Sequence, residues 1–359
     1  MKTKSDGGAG NYPYACARVK SRKTTLLPAE TYPRLLNMDP AEMSRFMGEG
    51  QYRREIDELS SRYFGVDLIE HATYLNMART FRAVMGFTTG ELHAMVSHFL
   101  DRWDIHNTVT VLRGRTAGAS WEEVEEDIVP AGAYDLDFFR ALFGAAGPDE
   151  MAAVLRREEA ASGFEPVLLK LMREAKGALP GQAELENELH KEYYMRLLTA
   201  VPDTNRANRV FLDYLRAEID TVNLKTLFKL KFEDVAMEKV QKLLIPAGEE
   251  LGPPVLRALA AADGFDAFLS GLAGLRLHEA IREPASRAMS GGSLNGVLVA
   301  LDRYLMARAQ RFSRLYPLSV LPVIDYLLRK NTEVDNLRII ASGRQSGLSD
   351  ELIRGLLMV

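Results

Sequence analysis

Residues 103–115 read WDIHNTVTVLRGR, residues 219–231 read IDTVNLKTLFKLK, and residues 333–344 read EVDNLRIIASGR. Each phrase carries an acid, an Asn three residues later and a basic residue eight beyond the Asn. The acids are Asp104, Asp220 and Glu333, the asparagines Asn107, Asn223 and Asn336, and the bases Arg115, Lys231 and Arg344. The register continues without a gap through Glu122, Glu238 and Glu351, then the β-branched Val124, Val240 and Ile353, then Ile128, Leu244 and Leu357. One phrase written three times in register is the mark of a repeat architecture, and the repeat decides the fold.

The first two copies run on. PAG stands at 130–132 and again at 246–248, followed by RALFGAAGPD from Arg140 and RALAAADGFD from Arg257. The third copy meets the end of the chain at Val359, and a looser match, LLPAETYPRLLNMDPAEMSRF (26–46), supplies its continuation from the N-terminus. Upstream, Glu70, Glu186 and Asp302 recur at an equal interval. The unit is about 115 residues long, domain-sized rather than one of the short solenoid periods. The expected organisation is a first repeat over 48–132, a second over 133–248, and a third over 249–359 completed by 11–47. Three such units predict pseudo-three-fold symmetry.

The fold class read from periodicity is all-α. LDRYLMARAQRFSRLY (301–316) sets Leu301, Tyr304, Leu305, Arg308, Phe312 and Leu315 along one broad stripe, and EIDELSSRYF (55–64) behaves similarly. Thr88 with Glu91, and Ser120 with Glu123, have capping-box spacing, and Ser349 repeats the offset of Ser120. NTVTVLRG alone alternates like a strand. Its copies NLKTLFKL and NLRIIASG read as helix, so all three are assigned to helix. Breaks are expected at GFTTG (86–90), AVPDTN (200–205) and SGGSLNG (290–296), and the Gly-rich start is expected to be disordered.

Composition narrows the function. The 359 residues carry a net charge of −4 from mixed signs, without the basic stripe of a nucleic-acid binder. A single cysteine, Cys16, excludes a disulfide framework or a cysteine zinc site and fits a reducing compartment. In YACARVKSRK it reads as a small buried helical residue. The start MKTKSDGGAGNYPY lacks the apolar run of a signal peptide, and no stretch is long and apolar enough to span a membrane.

Catalytic constellations are missing. His71, His93, His98, His106, His190 and His278 lack ligand spacing: His93 and His98 stand five apart, and His278-Glu279 has no second His at zinc-protease distance. GGAG (7–10) and SGGSLNG lack the Lys and Ser/Thr of a phosphate loop. No metal, nucleotide or other cofactor is therefore expected. Asp104, Asp220 and Glu333 are repeat-related, so they are expected in three separate places rather than as an acid–base pair, which works within about 10 Å. The acid or Asn suits helix capping or a bond to backbone in a tight turn, and a direct partner contact is the other reading. Arg115, Lys231 and Arg344 read equally as a solvated face or as partner-facing charges. Glu70, Glu186 and Asp302 are expected to pair with bases inside each repeat. The sequence reads as a helical adaptor.

YACARVKSRKTTLL, FMGEGQYRREI, RWDIHNTVTVLRGR, IDTVNLKTLFKLK and NLRIIASGR, in this order and from about Tyr12 to Val359, resemble the C subunit of archaeal and bacterial A/V-type ATPases, the counterpart of the d subunit of vacuolar ATPases. The resemblance implies a funnel of three helical domains, monomeric within its complex. It implies a place on the cytoplasmic face, peripheral to the membrane, between the central-stalk subunits (D/F type) and the proteolipid c-ring (K). There the protein would turn with both and pass on torque for ATP-coupled H+ or Na+ transport, with the catalytic sites on other subunits. The family's motifs are those of its fold, so it lends no functional side chains. A helical scaffold for soluble partners is the alternative.

Overall fold

The computed structural model describes residues 8–157, 165–174, 182–233, 240, 242–290 and 292–359. Glu238 of the repeated register and the start of the Gly-rich segment, through Gly7, lie outside them. Among the described residues the regular structure is helical throughout, as the periodicity predicts. Short helices α1 (Tyr12–Lys23), α2 (Thr31–Leu35), α3 (Pro40–Gly48) and α4 (Arg53–Leu59) precede a long pair, α5 (Gly65–Phe87) and α6 (Gly90–Ala117). Then come α7 (Trp121–Glu126), α8 (Leu136–Gly144), α9 (Pro148–Arg157) and α10 (Glu165–Glu174). A second long pair, α11 (Gln182–Ala200) and α12 (Arg206–Phe232), leads into α13 (Pro253–Ala261), α14 (Gly264–Gly271) and α15 (His278–Met289). The third pair, α16 (Asn295–Leu315) and α17 (Leu321–Gln345), is followed by α18 (Asp350–Leu356).

The chain divides into two compact units. One consists of the chain up to Thr25 together with Ala41–Pro202; the other joins Leu26–Pro40 to Asp203–Val359. In the first, α11 packs along α6 and α1 lies on α5. The face of α6 turned inward carries Leu92, Val96, Phe99, Leu100, Ile105 and Val109, all buried. In the second unit α16 packs against both α12 and α17. Its core gathers Leu224, Phe228, Val240, Phe268, Ile281 and Leu301. Each such side chain contributes about 1.5–3 kcal/mol on leaving water.

The second helix of each long pair carries the repeated phrase, so NTVTVLRG is helical inside α6. Thr108 and Val109 are buried there, and packing overrides the strand propensity of the β-branched run. Helix α6 ends at Gly118, whose φ of 72° gives the left-handed stop that glycine tolerates. Ser120 and Glu123 form a reciprocal capping box, and Ser349 caps α18 through the Leu352 amide. The three predicted breaks coincide with the ends of α5, α11 and α15 and the starts of the helices that follow.

Three local readings are corrected. Thr88 does not cap α6: it terminates α5, and its hydroxyl donates to the Met85 carbonyl. Asn11, from the N-terminal segment, takes the Thr89 amide instead and donates to the Phe87 carbonyl. The helix beginning at Arg53 stops at Leu59, where the Ser60 hydroxyl turns back to the Asp57 carbonyl, so EIDELSSRYF is helical only in its first half. On α16 the apolar stripe fades before Leu315, which is 59% exposed.

Candidate functional site

Each asparagine closes a two-bond ring with one distant peptide. Asn107 Nδ2 donates to the Val129 carbonyl at 2.7 Å while its Oδ1 accepts the Val129 amide at 2.9 Å. Asn223 binds Ile245 in the same way, at 2.8 Å in both directions. Asn336 binds Met358 at 3.0 and 2.9 Å. In all three copies 22 residues separate the partners. All three side chains are buried, where an unpaired amide would cost about 1–3 kcal/mol, so the second half of each ring is as necessary as the first.

One helical turn earlier, Asp104 and Asp220 each collect amides from the segment that follows, whereas Glu333 takes one from far upstream. Asp104 accepts from Ala133 and Tyr134 at 2.9 and 3.2 Å. Asp220 accepts from Glu249, Glu250 and Leu251 at 3.0, 2.7 and 3.1 Å. The glycine of PAG explains the approach: a Cβ on Gly132 or Gly248 would overlap the carboxylate of Asp104 or Asp220. Glu333 accepts the amide of Leu27, 306 residues away, through one oxygen. Its other oxygen takes Lys330 Nζ at 2.8 Å, and both side chains of this pair are all but fully buried.

The basic residues end on main-chain or carboxylate oxygens within the fold. Arg115 Nη1 donates to Leu142 and Phe143 carbonyls at 3.1 and 2.6 Å, at the C-terminal turn of α8. Lys231 donates to Ala262, which caps α13, at 2.7 Å. A cation there meets the negative end of the helix dipole. Arg344 pairs with Asp350 at 2.9 Å instead. Of the upstream acids, Glu186 faces Arg113 and Asp302 pairs with Lys225, and by the boundaries expected from the sequence each of these two bases lies before the acid's own repeat.

Burial sets the protonation behaviour of these acids. It pushes the Asp104 carboxyl well above the usual carboxylate range, and the neighbouring Asp101 adds to this, against the pull of the two backbone amides. Burial likewise lifts Asp220 to about 6, with three amides opposing. Burial also depresses His190. A carboxyl raised in the folded state destabilises the fold as pH climbs from its unfolded value of about 4 to its folded value, and the loss is complete above that. The unfolding free energy of the wild type, relative to Asp220→Asn, is therefore expected to fall between about pH 4 and about pH 6 and to run level from there to pH 8. Parallel curves over that range would contradict the assignment.

Chemically, these acids act as acceptors for main-chain amides, which fixes loops on helices. Among the described residues no group of three His, Cys, Asp or Glu side chains could hold a metal ion. No described helix is long and apolar enough to cross a membrane. The residue missed in the sequence is Lys330, whose place in the apolar run LPVIDYLLRKN, three before Glu333, was the available signal. Cys16 is a buried residue of α1.

Over residues 15–356 the chain matches the family model described as the ATP synthase (C/AC39) subunit. It is 36% identical over 358 residues to the A-type ATP synthase C subunit of Methanosarcina acetivorans, covering 99% of this chain and 95% of that one. It is 32% identical to the protein of the same name from Archaeoglobus fulgidus, covering 98% of each chain. With that from Haloferax volcanii it shares 33% identity, covering 99% of each.

Proposed function

The chain belongs to the ATP synthase (C/AC39) subunit family, as a non-catalytic structural subunit, and from that membership we propose that it is the central-rotor adaptor of an A-type complex. In this reading it joins the central-stalk subunits to the proteolipid c-ring, peripherally on the cytoplasmic face, and carries torque between ATP turnover and H+ or Na+ transport. Nothing in such a role asks for a reactive side chain. It asks for a body that does not yield.

The observation that carries the reading is the asparagine tie written three times with its spacing of 22 residues reproduced in every copy, and joined in the first two copies by an acid with matching partners. Such repetition supports three helical repeats, over 48–132, 133–248 and 249–359, the last completed from the N-terminus, about a pseudo-three-fold axis. It fits a part that loads evenly as it turns. The binding roles of Arg115, Lys231 and Arg344 belong to this proposal too, although each is engaged within the fold. The two exposed leucines at the α16–α17 turn, Leu315 and Leu318 at 59% and 65%, favour a docking part over a scaffold for soluble partners.

Native mass spectrometry of the protein mixed with its own stalk heterodimer, and then with detergent-solubilised c-ring, tests the proposal. The expected result is a one-to-one complex with the stalk that also captures the ring. Binding to neither folded partner would leave a helical scaffold without a rotor role.

A further inference from the structure

Helices α14 and α15 lie in the unit that contains Asp203–Val359, and between them runs a groove of about 270 Å³. Its floor is apolar: Leu269 comes from α14, and Ile281, Ala285 and Met289 come from α15. Ile281 and Ala285 are buried, and Phe268, Leu272 and Leu277 hold both helices in the same core. The walls are therefore set before anything binds, which spares a partner the cost of ordering them. One wall is polar as well. His278, Arg282 and Ser286 follow one another at four-residue intervals along α15, and all three line the groove. A helix places such residues on one face, about 6 Å apart along its axis.

Size and charge together say what the groove can take. Its volume falls below the roughly 300–1,000 Å³ of pockets that enclose small molecules, so it holds an apolar side chain or two rather than a cofactor. On its rim stands the Arg282 guanidinium, whose ion pair with Glu279 is long, at 3.9 Å, with the two side chains 70% and 77% exposed. Such a pair contributes little, and it gives way to a better-placed carboxylate. The His278 ring and the Ser286 hydroxyl add hydrogen-bond donors. Glu279 and Glu283 each stand one position beyond a groove residue, about 100° around the helix, and do not line it.

We infer that the groove between α14 and α15 receives a helix of another subunit of the complex, which seats an apolar side chain between Leu269 and Met289 and, one turn on, offers a carboxylate to Arg282. The inference rests on the rotor reading above and names the chemistry of one of its contacts. A helix suits the groove because α15 sets out its cation and donors at one-turn spacing. Residues i and i+4 of a helix laid along it repeat that spacing. The apolar side chain supplies affinity, and the charge pair fixes the register.

Titration calorimetry of the protein with its own stalk heterodimer, and separately with detergent-solubilised c-ring, tests this in three variants. Arg282→Glu reverses the rim charge at an exposed position. Ala273→Trp fills the groove from its exposed edge. Arg287→Glu makes the same charge change on the same helix, at 71% exposure and outside the groove. For one of the two partners, Arg282→Glu and Ala273→Trp are each expected to weaken binding roughly tenfold or more, while Arg287→Glu stays within about twofold of wild type. Because Arg282 is exposed, its variant keeps the test open even if Ala273→Trp does not fold. Equal effects of the two charge reversals, or wild-type affinity of Arg282→Glu for both partners, would overturn the inference. So would a loss confined to Ala273→Trp, which leaves an apolar contact without its acid. Wild-type protein that binds neither stalk nor ring sinks the rotor reading, and the occupant of the groove with it, a result distinct from the others.

Discussion

Replacing Glu333 by Ala is expected to lower the stability of the C-terminal unit by about 3–5 kcal/mol, the cost of stranding one partner of a buried ion pair. Lys330, at 1% side-chain exposure, would lose its carboxylate partner, and the Leu27 amide would lose its acceptor. Lys330→Met combined with Glu333→Leu should recover much of the loss, because a buried pair exchanged for apolar groups of similar volume is often neutral. Denaturant unfolding, followed by probes in each unit, checks both. The transition of the Asp203–Val359 unit should move to lower denaturant in the single variant and return in the double. A single variant within about 0.5 kcal/mol of wild type would mean that water reaches Lys330 and that the pair is not the anchor drawn here.

Gly248→Ala carries the second large effect, about 3–4 kcal/mol, which is severe for the addition of one methyl group. The added Cβ would occupy the position of an Asp220 carboxylate oxygen, so the carboxylate must leave the amides of Glu249, Glu250 and Leu251. Three amides and a buried acid would lose their partners together. Gly132→Ala should do the same at Asp104 in the other unit. Gly86→Ala, where nothing lies within 4 Å, is the control and should sit near wild type. Equal effects at Gly248 and Gly86 would show that the loop relaxes around its carboxylate at little cost.

The repeated phrase made the helices legible despite a misleading local signal. NTVTVLRG has strand chemistry, and only comparison with its copies assigns it to helix. What the phrase does was less legible, because each tie joins residues 22 or more positions apart and Glu333 reaches back 306 residues to Leu27. Local rules also failed where a distant residue intervened. Thr88 and Glu91 have the spacing of a cap, but Asn11 already satisfies the Thr89 amide, and the Glu91 amide goes to the Gly8 carbonyl. Acid–base pairing within a repeat was a natural expectation for Glu186 and Asp302. Packing of α11 on α6, and of α16 on α12, instead brings each acid to an earlier long helix.

The packing of Leu26–Pro40 with Asp203–Val359 also has a consequence in time. A ribosome makes Glu333 306 residues after Leu27. At roughly 5–20 residues per second, this segment waits about 15–60 s for Glu333 to exist. During that interval Tyr32, Leu35 and Leu36 have no native partners, while the helices of the first unit can already assemble on either side of them. The nascent chain thus carries a short apolar bait whose covering unit, Asp203–Val359, is made much later. A chaperone that binds such segments would meet this one early and release it late.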